Sequence, residues 1–166
     1  SFYEYGYVII ENTKAEENEV INFAEKLGPV RTTNWGKLFN VVSKPNPNDL
    51  AYTALELKSH SDNPYRKPVP GIQLLHCIAN ESTGGDSSLV DGFSVSEYLK
   101  ENHHDFHEIL TQTNVNFKFT DVDVILENKS KLIDLDSDGN FKQINFSGRL
   151  DYVPLLNDKN LETFYN

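Results

Sequence analysis

The sequence holds one cysteine and no methionine in 166 residues. A lone Cys77 excludes an intrachain disulfide and points to a reducing compartment, so a cytoplasmic location is expected. No apolar run approaches the roughly 20 residues a helix needs to cross a bilayer. Basic residues are also scarce, with 15 Lys and Arg against 25 Asp and Glu and a net charge of −10. So acidic a chain repels phosphate backbones and anionic lipid surfaces, and neither nucleic acid nor membrane is expected as a partner. Ser1-Phe2-Tyr3-Glu4 lacks the basic and apolar pattern of a secretory signal. The chain reads as beginning inside an element, and a fragment is expected. What remains is ordinary for a globular protein: 38% hydrophobic and 11% aromatic residues, enough for one domain over residues 1–166.

Local patterns predict the elements. Tyr7-Val8-Ile9-Ile10 reads as a strand between Gly6 and Glu11-Asn12-Thr13. Residues 16–27 carry apolar side chains at helical spacing and stop at Gly28-Pro29. A strand is expected over 38–43 and a turn at Pro45-Asn46-Pro47-Asn48. Ser94-Val95-Ser96-Glu97 has the form of a capping box, which predicts a helix running to about Asn102, and a second short helix follows over 105–112. Val115 to Phe119 alternates as a strand, and residues 122–126 suggest another. Residues 131–146 read as a hairpin around Asp136-Ser137-Asp138-Gly139-Asn140. A final helix starts near Asn160. His103 and His107 stand one helical turn apart, which suits metal chelation on one face, but no third ligand lies beside them. They read as incidental histidines on a solvated surface. Asp134, Asp136 and Asp138 with Gly139 resemble part of a calcium loop. The glutamate that closes such a loop and its flanking helices are missing.

The stretch from His60 to Phe93 organises the rest. His60-Ser61-Asp62 places an imidazole and a carboxylate on one side of extended backbone, since residues i and i+2 point the same way. They are two parts of the two-histidine, one-carboxylate face that holds non-haem iron. The same pair also serves as a plain loop-end hydrogen bond, and the tripeptide alone does not choose. Pro64, Pro68, Pro70 and Gly71 make an irregular crossing. Residues 72–78 read as a buried strand in which His76 is a satisfied core histidine. Gly84-Gly85-Asp86-Ser87 reads as a tight turn, and residues 88–93 as a second short strand.

Four segments, HSDNPY, PGIQLLHC, GGDSSLVDGF and NPNDLAYT, closely resemble the gamma-butyrobetaine hydroxylase branch of the Fe(II)/2-oxoglutarate dioxygenases, relatives of the taurine dioxygenase group. The likeness runs from about Tyr5 to the end. It implies a β-rich α+β fold, a double-stranded β-helix or jelly roll with flanking helices. That barrel is expected to be incomplete, because its C-terminal strands, a second iron histidine and a 2-oxoglutarate arginine lie further downstream in the family. The resemblance implies Fe(II) and 2-oxoglutarate as cofactor and cosubstrate, with His60 and Asp62 as metal ligands. Leu75 and Ser87 match positions that meet 2-oxoglutarate. Trp35, Phe39 and Tyr52, core aromatics by composition alone, match an aromatic cage for a trimethylammonium group. Asp49 lies where close relatives carry an amide facing the polar end of the substrate. The implied partners are a small cationic substrate and molecular oxygen, and exposed strand edges make a homo-oligomer the expectation. The implied activity is hydroxylation of gamma-butyrobetaine to carnitine. Hydroxylation of trimethyllysine is the alternative, and a scaffold of the same fold without turnover is the other.

Overall fold

The computed structural model describes residues 2–43, 45, 53, 55–81 and 83–166. The chain divides into two compact units, Ser1–Leu57 with Ile72–Ser88, and Lys58–Gly71 with Leu89–Asn166.

In the first unit the elements are helical: α1 (Phe2–Tyr5) and α2 (Glu19–Leu27). Helix α2 begins within the stretch expected to be helical and ends where expected, with the Gly28 N–H on the Ala24 carbonyl. The strands expected over 7–10, 38–43 and 72–78 do not form among the described residues. The reason is physical. A strand needs a hydrogen-bonded neighbour and a surface to bury one face against. Among the described residues of this unit none is buried. Ile72 is 62% exposed and Leu75 74%. Both ring nitrogens of His76 are shielded from solvent yet have no hydrogen-bond partner, so this histidine is not the satisfied core residue expected. The expected turn at Pro45 to Asn48 lies largely outside the described residues. Gly84 and Gly85 both adopt positive φ, which glycine reaches without steric cost, but the tight turn expected over 84–87 does not form.

The second unit holds the core. Helices α3 (Gly92–Asn102) and α4 (His104–Gln112) form a hairpin, followed by β1 (Asn114–Asp121) and β2 (Val124–Lys131). These two strands pair antiparallel from Asn114↔Lys131 to Asp121↔Val124, joined by the two residues Val122 and Asp123. The short β5 (Asp151–Tyr152) pairs with the other edge of β1, giving the order β2-β1-β5. Strands β3 (Ile133–Leu135) and β4 (Phe141–Ile144) make a separate antiparallel ribbon, and α5 (Asp158–Tyr165) closes the chain. Alternation along β1 sends Val115 and Phe117 inward, where they are buried with Leu132, Ile133 and Tyr65. The fully buried Asn145 donates from Nδ2 to the Lys131 carbonyl at 3.0 Å and accepts from the Gln143 amide at 3.0 Å. The architecture is therefore mixed, helices with two small antiparallel sheets.

Two local readings shift. Residues 88–93 are not a strand, and the capping box is not the helix start. Asp91 is the N-cap, its carboxylate accepting from the N–H of Phe93 and Ser94 and from the Ser94 hydroxyl. The hydroxyl bond, then the backbone bonds, hold its acid below the usual carboxylate range. The hairpin turn is built in the same way. The Asp136 carboxylate accepts from the N–H of Asp138 and Asn140 at 2.9 Å, and Gly139 sits at φ +82°. Of the aspartates that resembled a calcium loop, Asp136 thus serves its own backbone and Asp134 pairs with Lys142 at 3.3 Å.

Candidate active site

His60, Asp62 and their supports lie in the second unit. The His60 Nδ1 is 2.7 Å from the Lys58 carbonyl. A carbonyl only accepts, so Nδ1 carries the proton, and in the neutral ring Nε2 presents a lone pair. That lone pair faces the Asp62 carboxylate, with Nε2 to Oδ1 at 3.1 Å. Two acceptors at this distance need a cation between or beside them, either a proton on the imidazole or a metal ion. Two ligands each about 2.1 Å from one ion at right angles lie about 3.0 Å apart, so the pair is spaced as adjacent ligands. The Nδ1–H to carbonyl bond is the usual outer support of a ligating histidine. These residues fit a divalent metal. Among the described residues no third His, Cys, Asp or Glu joins them.

The loop carrying this pair is tied down on both sides. Ser61, between the two, donates its N–H to the Phe146 carbonyl at 2.7 Å. Its hydroxyl donates to the same carbonyl at 3.2 Å and accepts from the Phe146 N–H at 2.7 Å. Beyond Asp62, Asn63 sits at φ +56°, a left-handed conformation that asparagine tolerates better than most. The Tyr65 hydroxyl donates to the Asn63 side-chain oxygen, and the Arg66 N–H reaches the Asn63 carbonyl at 3.0 Å. Asn128 on β2 donates to the Pro64 carbonyl at 2.9 Å, and the Tyr65 ring stacks on Phe119 of β1 with centroids 5.1 Å apart. The prolines that broke the sequence pattern here give a rigid loop pinned to the sheet.

In the first unit a tight turn presents the aromatics. Thr33 and Gly36 exchange backbone hydrogen bonds of 2.9 and 3.0 Å, the Thr33 hydroxyl donates to the Gly36 carbonyl, and the Trp35 N–H reaches that hydroxyl. Gly36 at φ +91° closes the turn. The Trp35 and Phe39 rings lie 5.5 Å apart at 49°, two adjoining walls of the kind that hold a quaternary cation. Lys37 pairs with Glu25 of α2 at 3.0 Å, which fastens this loop to the helix. Asp49 and Tyr52 lie outside the described residues. Leu75 is exposed rather than packed in a core, and Ser87 is exposed too. His107 departs from its reading as a surface residue. It is 9% exposed, with Nε2 3.3 Å from the Ser96 hydroxyl, and burial first, then Lys100 and His104, lowers its pKa from the ordinary value. Sequence reasoning passed over Ser61, whose partner is 85 residues away.

Comparison with known proteins places the chain in a family. The family model described as taurine catabolism dioxygenase TauD, TfdA family, matches residues 1–161. Gamma-butyrobetaine dioxygenase of Homo sapiens is 37% identical over 145 residues, covering 86% of this chain and 38% of that protein. The Pseudomonas sp. (strain AK-1) protein of the same name is 34% identical over 145 residues, 87% and 38% respectively. Trimethyllysine dioxygenase of Meyerozyma guilliermondii is 37% identical over 110 residues, 66% of this chain and 28% of that protein. The chain thus spans less than two fifths of the length of these relatives. With a family model that matches nearly its whole length and relatives 34–37% identical over most of it, this chain belongs to the TauD/TfdA family of dioxygenases.

Proposed function

We propose that the chain is part of an Fe(II)- and 2-oxoglutarate-dependent dioxygenase that hydroxylates a small trimethylammonium substrate, gamma-butyrobetaine to carnitine. The observation that carries this is the 3.1 Å approach of a lone-pair-bearing His60 Nε2 to the Asp62 carboxylate. His60 and Asp62 hold the iron; Leu75 and Ser87 meet 2-oxoglutarate. Bound together, iron and 2-oxoglutarate supply oxygen activation, with 2-oxoglutarate leaving as succinate and CO2. The protein positions the substrate. Trp35 and Phe39, joined by Tyr52, enclose a trimethylammonium group that has no N–H to donate, each good contact adding about 0.5–2 kcal/mol. The two small sheets belong to a double-stranded β-helix, and the setting is a reducing, cytoplasmic one. Among the described residues no helix is long and apolar enough to cross a membrane.

Asp49 favours a second reading. An acid facing the polar end of the substrate repels a bare carboxylate but suits the α-ammonium of trimethyllysine. The first test is anaerobic Fe(II) titration with and without 2-oxoglutarate. The metal-to-cosubstrate charge-transfer band is expected in the visible, and it should be lost in His60→Ala and Asp62→Ala. A folded protein that gives no band would overturn the metal assignment. The two substrates are then separated by which one perturbs that band at lower concentration.

A further inference from the structure

We propose that Ser61 is a positioning residue, setting the His60 ring and the Asp62 carboxylate as a preformed two-ligand edge. This inference rests on the proposed metal role of that pair. His60 Nε2 and the Asp62 carboxylate stay 3.1 Å apart only while the backbone between them keeps its conformation. What holds that conformation is a three-bond clamp on one residue. The Ser61 N–H donates to the Phe146 carbonyl at 2.7 Å, the hydroxyl donates to that carbonyl at 3.2 Å, and the Phe146 N–H donates back to the hydroxyl at 2.7 Å. The backbone–backbone bond alone fixes one point and leaves the peptide free to pivot about it. The hydroxyl adds a second point and removes the pivot.

The far side of the clamp is itself rigid. The Asn145 N–H donates to the Leu132 carbonyl at 2.8 Å, and its side chain donates to the Lys131 carbonyl, so Phe146 emerges from a fixed strand end. Rotation of the 60–62 backbone would break the 2.7 Å Nδ1–H bond to Lys58 and the 3.1 Å approach of Nε2 to Asp62 together. The hydroxyl touches neither substrate nor metal in this geometry. It acts through its two neighbours.

The experiment compares Ser61→Ala and Ser61→Thr with the parent chain by two readouts. The first is the Nδ1–H proton signal of His60 in the NMR spectrum without metal. The parent and Ser61→Thr should show one Nδ1–H held in a hydrogen bond and slow to exchange, and Ser61→Ala a signal averaged by exchange with solvent. The second is Mn(II) binding followed by electron paramagnetic resonance. Ser61→Ala should bind at least about tenfold more weakly, the size usual for loss of an outer support, and Ser61→Thr close to the parent. Unchanged Phe117 and Ile133 resonances show that the core is intact. If Ser61→Ala keeps the slowly exchanging Nδ1–H, the inference fails whatever the metal does. If the parent shows that bonded Nδ1–H but takes up no Mn(II), the metal reading fails while the Nδ1–H comparison still decides the role of Ser61.

Discussion

At the residue scale, the chemistry resides in side chains whose backbone neighbours decide what they are. His60 is a ligand candidate because its Nδ1 bonds to the Lys58 carbonyl, and Ser61 between it and Asp62 is tied to Phe146. The His-x-Asp pattern was legible in the sequence because period-two geometry is local. The clamp was not, since nothing in a serine between a histidine and an aspartate names a partner 85 residues on. His107 shows the opposite failure. Its one-turn spacing from His103 suited chelation, the lack of a third ligand made it read as a surface residue, and packing of α4 against α3 buried it. Its pKa is lowered chiefly by that burial, with Lys100 of α3 and His104 of α4 adding repulsion and Glu97 of α3 opposing it. A histidine held neutral in the fold binds its proton more readily when unfolded. Its contribution to stability is therefore full above the ordinary value of about 6.5 and is lost as pH falls from there through the lowered folded value. The melting temperature should fall over this window, and His107→Gln should flatten that part of the profile, as thermal melts from pH 7.5 to 5 would show.

At the element scale, the second unit was largely readable, and in the first only α2 was. Helices α3, α4 and α5 and the β1–β2 and β3–β4 hairpins follow local signals: caps, alternation and turn residues. The strands expected at 7–10, 38–43 and 72–78 rested on apolar runs alone. Such runs state a preference for burial without supplying the ladder that makes a strand. The start of α3 moved from Ser94 to Asp91 because two acceptable caps stand three residues apart, and packing chose between them. Gly92 shows that choice. A Cβ there would lie 2.6 Å from Cγ1 of Ile144, an atom held by the stiff β-branched base of its side chain. Gly92→Ala would improve helix propensity yet should destabilise the protein by about 1–3 kcal/mol through overpacking. The same change in an Ile144→Ala background should cost much less, and chemical denaturation of the four proteins in this cycle measures the coupling.

At the scale of the whole molecule, exposed apolar side chains occur in both units. Tyr7 to Ile10, Val41, Val42 and Leu75 in the first, and Phe93, Tyr98, Ile125 and Leu155 in the second, are all accessible. Surfaces of this kind associate. Self-association into homo-oligomers, with binding of a hydrophobic dye, is the expected behaviour. At a net charge of −10 it should tighten as salt rises, because screening relieves the repulsion between copies. Sedimentation at 0.05 and 0.5 M salt tests this, and a dye-silent monomer under both conditions would refute it. The clamp between Ser61 and Phe146 also bears on the order of events during synthesis. Residues 60–62 leave the ribosome long before residue 146, and closing so long a loop must wait for the β3–β4 hairpin to exist. Until then the nascent chain carries a histidine and an aspartate with no fixed relation, and little capacity to capture a metal. On the proposed metal role of that pair, loading becomes a late step, reserved for chains whose β3–β4 hairpin has already folded.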